Sequence, residues 1–211
     1  MYKIIDKQTE WDRFVVEQGG HPLQLWAWGE VKSAHGPWSP VRILFQNGDE
    51  IVGGAQVLQR KMPKPFGKML YVPRGGFGSP KQRSELLKEL GAWAKEQGGV
   101  ELKIEPDWTL AGKLPEMKGW RKSKNRILLA RTLRLDLTKT EDELLADMSK
   151  KTRQYIRKSE KDGVQIQRIS DKKDLLTALK IYKETAERDG FSLHGDSYYL
   201  DIAIFGGDFI Q

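Results

Sequence analysis

Four segments combine side chains that can do chemistry, and each also has an ordinary structural explanation. In Gln24-Leu25-Trp26-Ala27-Trp28-Gly29-Glu30-Val31-Lys32, the lysine follows Trp28 by four residues. On a helix that spacing puts an aromatic face and a cation on one side. Such a pair can hold a nucleobase and a phosphate; core tryptophans beside a surface lysine are the structural alternative. The second segment is Pro73-Arg74-Gly75-Gly76-Phe77-Gly78-Ser79-Pro80, a glycine-rich turn. Backbone N–H groups ahead of a helix bind phosphate, and glycine lets a ligand come close. The turn is neither a P-loop nor the Rossmann fingerprint, and Arg74, Phe77 and Gly78 do not match an acyl-CoA loop. The alternative is a tight strand-to-helix connection.

The third segment runs from Met148 to Lys158. At helical spacing Lys150, Arg153 and Arg157 share one face, Lys151 and Lys158 lie two turns apart, and Met148, Tyr155 and Ile156 cover another side. A helix of this kind can pack on its protein and offer cations to a phosphate backbone; a solvated lysine-rich face reads the same way. The fourth segment, Glu184 to Phe191, is followed by His194 and Tyr198 on a loop. His194 is a candidate acid or base near neutral pH, or a bystander.

The elements that must position these groups follow from periodicity and punctuation. Met1–Asp6 alternates weakly, as an edge strand does. Thr9 is placed to cap a helix running to about Gln18, and Gln24–His35 predicts a second. Val41–Phe45 and Ile51–Arg60 flank Asn47-Gly48, a strong hairpin signal. Lys68–Val72 predicts a strand, and Ser79-Pro80 an N-cap and first position for a helix to about Gln97. Val100–Glu105 and Arg126–Leu137 read as strands. Thr140 and Glu143 make a capping-box pair, Ser149 caps Lys150–Lys161, and Val164–Ile169 predicts a strand. Asp171 opens an amphipathic helix to about Arg188, Asp196–Phe205 predicts another, and Phe209-Ile210-Gln211 resembles the start of a strand. The alternation of helices with strands and hairpins indicates an α/β (α+β) fold. The expected boundary lies near Leu137–Thr140, giving units 1–137 and 138–211.

Charge and composition narrow the classes. Residues 106–173 carry 18 Lys+Arg against 10 Asp+Glu, and the remainder 18 against 19, so the whole net charge of +7 lies in one stretch. A polyanion is the natural partner for it. The 211 residues contain no cysteine, which excludes disulfides, Cys-zinc sites and thiol catalysis. His21, His35 and His194 lack the spacing of a histidine metal site. No apolar run approaches the length of a membrane helix and the N-terminus has no signal-peptide h-region, so the expected place is the cytoplasm.

In order and spacing, the segments resemble the FemABX family of aminoacyl-tRNA-dependent transferases that add amino acids to peptidoglycan precursors. The resemblance rests on Gln24, Trp28 and Lys32, then Pro73-Arg74-Gly75, then Glu105-Pro106. It continues through Lys150 to Val164, the most specific match, and ends on Glu184 to Phe191 with Tyr198-Tyr199 downstream. Two positions depart from the family pattern: Gly75-Gly76 where the turn usually reads Gly-Pro, and His194 where arginine is frequent.

The resemblance implies GNAT-like acyltransferase domains, one complete over 1–137 and a second begun over 138–211. It also implies an aminoacyl-tRNA donor and an acceptor amine on a UDP-linked or lipid-linked muropeptide. The lipid-linked case would bring peripheral membrane association. Carried over by position, Trp28, Lys32, Arg74, Gly75, His194 and Tyr198 are expected to contact the precursor. The basic helix (Lys150, Lys151, Arg153, Arg157, Lys158) is expected to contact tRNA. No cofactor or metal is implied. Proton removal from the amine is expected to use the substrate's own groups or a nearby carboxylate such as Glu105, and no catalytic residue is otherwise assigned. A catalytically inactive remnant that binds tRNA or muropeptide, and a GNAT-type N-acyltransferase acting on another amine, are the competing expectations.

Overall fold

A computed structural model describes residues 1–48, 50–108, 119–129, 132–167, 169 and 171–206. The first half is built on a five-stranded sheet: β1 (Tyr2–Ile4), β2 (Ser39–Asn47), β3 (Glu50–Lys61), β4 (Lys68–Pro73) and β5 (Gly99–Glu105), neighbours in that order. The first four are antiparallel and β5 lies parallel to β4. The register pairs Ile4 with Ile43 and Val41 with Val57, and in the parallel pair Pro73 with Glu105.

Alternation sends successive side chains of β2 to opposite faces. Ile43 and Phe45 meet Leu86, Leu90 and Trp93 of α3 (Arg83–Glu96) on one face. Leu44 faces the other side, with Trp11 and Val15 of α1 (Gln8–Glu17) and Leu25 at the entry to α2 (Trp26–Ala34). The sheet is therefore covered on both faces. Trp11, Trp93, Phe45 and Leu90 are fully enclosed, and burying an aliphatic or Phe side chain contributes roughly 1.5–3 kcal/mol.

A polar network lies between α2 and the sheet. Gln24, at the end of a short 3₁₀ turn (Pro22–Gln24), is fully buried. Its amide nitrogen donates to Pro73 O at 2.6 Å, and its amide oxygen accepts from Gln56 N at 2.7 Å. Gln56 donates to Leu25 O at 2.9 Å and accepts from Arg42 Nε at 2.9 Å. Arg42 also donates to Trp26 O and Glu30, and stacks on the Trp26 ring at 3.4 Å. These bonds join the start of α2 to the centre of the sheet and to the end of β4.

The glycine-rich turn is shaped by that attachment. Arg74 adopts a left-handed conformation (φ +47°), uncommon outside glycine. A Cβ on Gly75 would come within 2.4 Å of both Gln24 Nε2 and Val72 Cγ1, so only glycine fits there. Phe77 then pairs with Gly54 of β3 through two backbone bonds of 2.9 and 3.0 Å.

Beyond residue 137 the described residues form four helices: α4 (Glu141–Asp147), α5 (Lys150–Lys161), α6 (Lys172–Asp189) and α7 (Asp196–Gly206). Thr140 and Glu143 make the expected capping box, and Ser149 and Asp171 cap α5 and α6. Gly190 closes α6 in the left-handed conformation.

Several expectations are corrected. Thr9 lies inside the first turn of α1, because Lys7 is the N-cap. Ser79-Pro80 belong to a separate turn, in which Gln82 N donates to Ser79 O, and the helix starts at Arg83. Among the described residues of 126–137 and 164–169 there is no strand. Both segments alternate correctly, but a strand needs a partner, and Leu133 and Ile166 are 85% and 98% exposed. Ile127 and Leu128 donate their N–H groups to the Glu105 carboxylate instead of to a ladder. Tyr155 is exposed and does not pack under α5. Phe209-Ile210-Gln211 lies outside the described residues.

Replacing Gln24 by Leu strands the Pro73 carbonyl and the Gln56 N–H in the interior. Urea unfolding is expected to show a loss of roughly 2–4 kcal/mol. Ile166→Ser, at an exposed position, is expected to change stability by less than about 0.5 kcal/mol. Equal effects would contradict the role given to the network.

Candidate functional site

Helix α2 carries Trp28, Lys32 and His35 at intervals of four and three residues, on one side of the helix. Helix α7 packs against that side. Lys32 Nζ lies 5.1 Å from the centre of the Trp28 ring and 5.4 Å from that of Tyr198. His194 stacks on Tyr198 with ring centres 4.0 Å apart at 24°. His35 meets the same tyrosine edge-on at 5.4 Å, and its Nε2 lies 2.7 Å from Asp201 Oδ2. Tyr199 stands beside Tyr198 and accepts the His194 N–H at its hydroxyl.

The cation of this group is Lys32. Lys32 has no hydrogen-bond or ion-pair partner among the described residues; its cation is held by aromatic faces alone. Burial lowers its pKa, because removing an ammonium from water disfavours the charged form. An incoming phosphate or carboxylate would restore what burial removes. Trp28 Nε1 is buried with no acceptor among the described residues. Burial also raises the Tyr198 phenol, with the neighbouring Tyr199 adding to the shift. The hydroxyl therefore stays a neutral donor.

The structure thus brings together four of the six expected precursor contacts: Trp28, Lys32, His194 and Tyr198. It adds His35 and Asp201, which were missed. His35 could have been found from its place one turn beyond Lys32, and Asp201 from its place one turn beyond Tyr198. Arg74 and Gly75 lie apart, at the end of β4. Arg74 donates to Leu129 O, and Gly75 packs against Gln24 and Val72.

Glu105 stands beside Pro73 at the ends of the parallel strands. Its two oxygens accept from Tyr71 Oη at 2.6 Å, Ile127 N at 2.7 Å and Leu128 N at 3.1 Å. Burial works to raise its pKa, but these donors and nearby Lys103 outweigh it, and the net shift is downward. Tyr71 is driven far upward by burial and by the Glu105 carboxylate. A carboxylate held by three donors is a poor proton acceptor; here it staples the segment at 127–128 to the sheet.

On α5, Lys150, Lys151, Arg157 and Lys158 are exposed, and Arg153 is not. Arg153 Nη1 turns back to the carbonyls of Leu145, Ala146 and Met148 at the end of α4. No group of three or more His, Asp or Glu able to hold a metal occurs among the described residues. No helix among them is long and apolar enough to cross a membrane.

The FemAB family profile matches residues 7–131 and 122–208. The chain belongs to the FemAB family. It is 31% identical over 218 aligned positions to a lipid II:glycine glycyltransferase of Staphylococcus aureus (strain MRSA252), and 30% to the protein of that name in strain USA300. The alignment takes in 96% of this chain and 51% of each relative, so the FemAB chain spans about half the length of these relatives. The crystal structure of FemX superposes with a TM-score of 0.78 at 28% identity, over 97% of this chain and 54% of that one. The α/β architecture and the family resemblance read from the sequence are both established by these matches.

The staple has a pH signature. The folded-state pKa of Glu105 lies below its unfolded value, so its stabilisation is full above the unfolded value and fades as pH falls through the folded one. Wild type is expected to lose stability on acidification from about pH 7 to about pH 3, and Glu105→Gln to lose less. Urea midpoints at the two pH values give the comparison. Identical pH dependence in both proteins would refute the assignment.

Proposed function

We propose that this FemAB-family chain provides the precursor-binding part of an aminoacyltransferase of peptidoglycan bridge formation. The donor is an aminoacyl-tRNA and the acceptor an amine on the stem peptide of a diphosphate-bearing muropeptide. The reading is carried by one observation: a partly buried, unpaired Lys32 between two aromatic faces where α2 meets α7. A diphosphate supplies the missing anion, and the Trp28 and Tyr198 rings supply surfaces for the flat or apolar parts beside it. The relatives' name, lipid II:glycine glycyltransferase, supports a lipid-linked acceptor. That acceptor would bring the protein to the cytoplasmic membrane surface without a spanning helix. On this reading residues 1–137 form the first domain and 138–211 begin a second.

The chemistry is attack of a neutral amine on the aminoacyl ester of tRNA. The nitrogen bonds to the ester carbon, a tetrahedral oxyanion forms, and the ribose oxygen leaves with the bonding pair. The amine loses its proton and the ribose oxygen gains one. The ester is already activated, so positioning the two substrates and stabilising the oxyanion supply most of the acceleration. Lys32, Trp28 and Tyr198 position the acceptor. Glu105, occupied by three donors, acts through the architecture rather than on the proton.

Titration calorimetry with a UDP-muropeptide tests the site. A hydrogen bond to a charged group is worth roughly 1.5–3 kcal/mol, so Lys32→Ala is expected to weaken binding by at least ~10-fold. Unchanged affinity would remove the assignment. Mixing the protein with charged tRNA and muropeptide tests the transfer. Intact precursor binding with no transfer would favour a binding remnant over an enzyme.

A further inference from the structure

A second cation without an acid partner stands past the end of α2. Arg60 of β3 is paired with Met69 of β4, and Met69 with Glu101 of β5, so the three side chains share one face of the sheet. The Arg60 guanidinium lies 5.3 Å from the centre of the Trp38 ring. Its Nη2 is 3.7 Å from the sulfur of Met62 and 3.8 Å from that of Met69. Thioether sulfur is a weak acceptor and carries no charge, and an aromatic face attracts a cation without neutralising it. Arg60, Trp38, Met62 and Met69 are all half-buried. Among the described residues Arg60 makes no ion pair and no other hydrogen bond.

The nest is held in place from two sides. Trp38 meets the Tyr71 ring at 6.3 Å, and Tyr71 is tied to Glu105 at 2.6 Å. At the other side Gly36 brings Trp38 close to the end of α2. A Cβ there would lie 3.3 Å from Trp38 Cδ1 and 3.4 Å from Lys32 O. The nest therefore adjoins the helix end that carries Lys32, and uses none of the residues of that site.

The chemistry of the lining selects the ligand. A guanidinium presents its donors as a planar fork that matches the two oxygens of a carboxylate. Trp38, Met62 and Met69 give an apolar rim for the carbon next to it. Glu101 lies on the same face, in register with Met69, and Glu105 lies four residues further along β5. Lys103, the other cation on this face, is taken up by Asn125 O at 2.6 Å. Two acids near one free cation disfavour a doubly charged phosphate and leave room for a single negative charge. We propose that Arg60, with Trp38, Met62 and Met69, is a carboxylate site that takes the free carboxyl group of a peptide with an apolar residue at that end. That this peptide is the acceptor's stem rests on the proposed function; the binding of a peptide carboxylate does not.

The test is nuclear magnetic resonance on the whole chain, read at the Trp38 indole N–H and assigned through Trp38→Phe. The probes are an N-acetylated dialanine with a free carboxyl end, the same peptide as its carboxamide, and inorganic phosphate. The free acid is expected to shift the indole resonance saturably, and the carboxamide to leave it in place. Arg60→Met, and Arg60→Lys, which keeps the charge without the fork, are each expected to weaken the acid by at least ~10-fold, with the other amide resonances unchanged. An indole that does not respond to the acid, or responds equally to the carboxamide, overturns the site. Phosphate bound as tightly as the acid overturns the carboxylate assignment, and Arg60→Lys binding as well as wild type overturns the fork. Calorimetry with UDP-muropeptide separates the sources. A ~10-fold loss in Arg60→Met places the acceptor's own carboxylate here, whereas equal binding by wild type and variant assigns the site to a different peptide. Wild type that binds the dipeptide acid but no muropeptide removes the proposed function and leaves the carboxylate site standing.

Discussion

The structure depends on a buried amide pair. Gln24 and Gln56 exchange hydrogen bonds in the interior, and between them they bind Pro73 O, Leu25 O and the Arg42 guanidinium. Each of these partners lies on a different element. The 3₁₀ turn, the entry to α2, the central strand β3 and the end of β4 are therefore fixed to one another by directional bonds, where apolar packing alone would allow sliding. Buried polar groups tolerate little displacement, since an unsatisfied one costs about 1–3 kcal/mol. Arg42 needs the arrangement as much as it provides it. Burial lowers its pKa, and Glu30 works to restore it.

That constraint reaches the candidate site residues at both ends. Toward α2, the first turn is held by Arg42 at Trp26 O and Glu30, so Trp28, Lys32 and His35 project from a helix whose rotation is set. Toward β4, the Gln24–Pro73 bond holds the turn in which Arg74 is left-handed and Gly75 has no room for a side chain. A lysine that is to be half-buried without a partner needs this kind of support. Free to move, its ammonium would find water.

Much of the first half was legible because its signals are local. The Asn47-Gly48 hairpin, the caps at Thr140, Ser149 and Asp171, and the spacing of Trp28 and Lys32 each announce themselves within a few residues. The failures have a common cause. The segments at 126–137 and 164–169 alternate as strands do, but alternation cannot say whether a neighbouring strand is present. Glu105 looked available for proton chemistry because its three donors come from Tyr71, Ile127 and Leu128, far away in sequence. Arg153 sits at the right helical angle for the basic face and is taken by carbonyls that only the α4–α5 corner brings near. Gln24 was read as part of a motif; that it organises the interior depends on contacts 32 and 49 residues away.

The candidate precursor site lies where the two halves of the chain meet. Within the described residues α4 and α5 bury nothing fully, and α6 buries only Leu179 and Ala186. The second half meets the first chiefly through α7 on α2, and the candidate precursor contacts lie at that meeting: Tyr198 against Lys32 and His35, and Asp201 against His35. A ligand that pairs with Lys32 while touching Tyr198 or His194 binds both helices at once. By linkage, such a ligand stabilises the α2–α7 contact by the same free energy with which that contact strengthens its binding. On the proposed reading, acceptor binding and the docking of α7 onto α2 are one equilibrium.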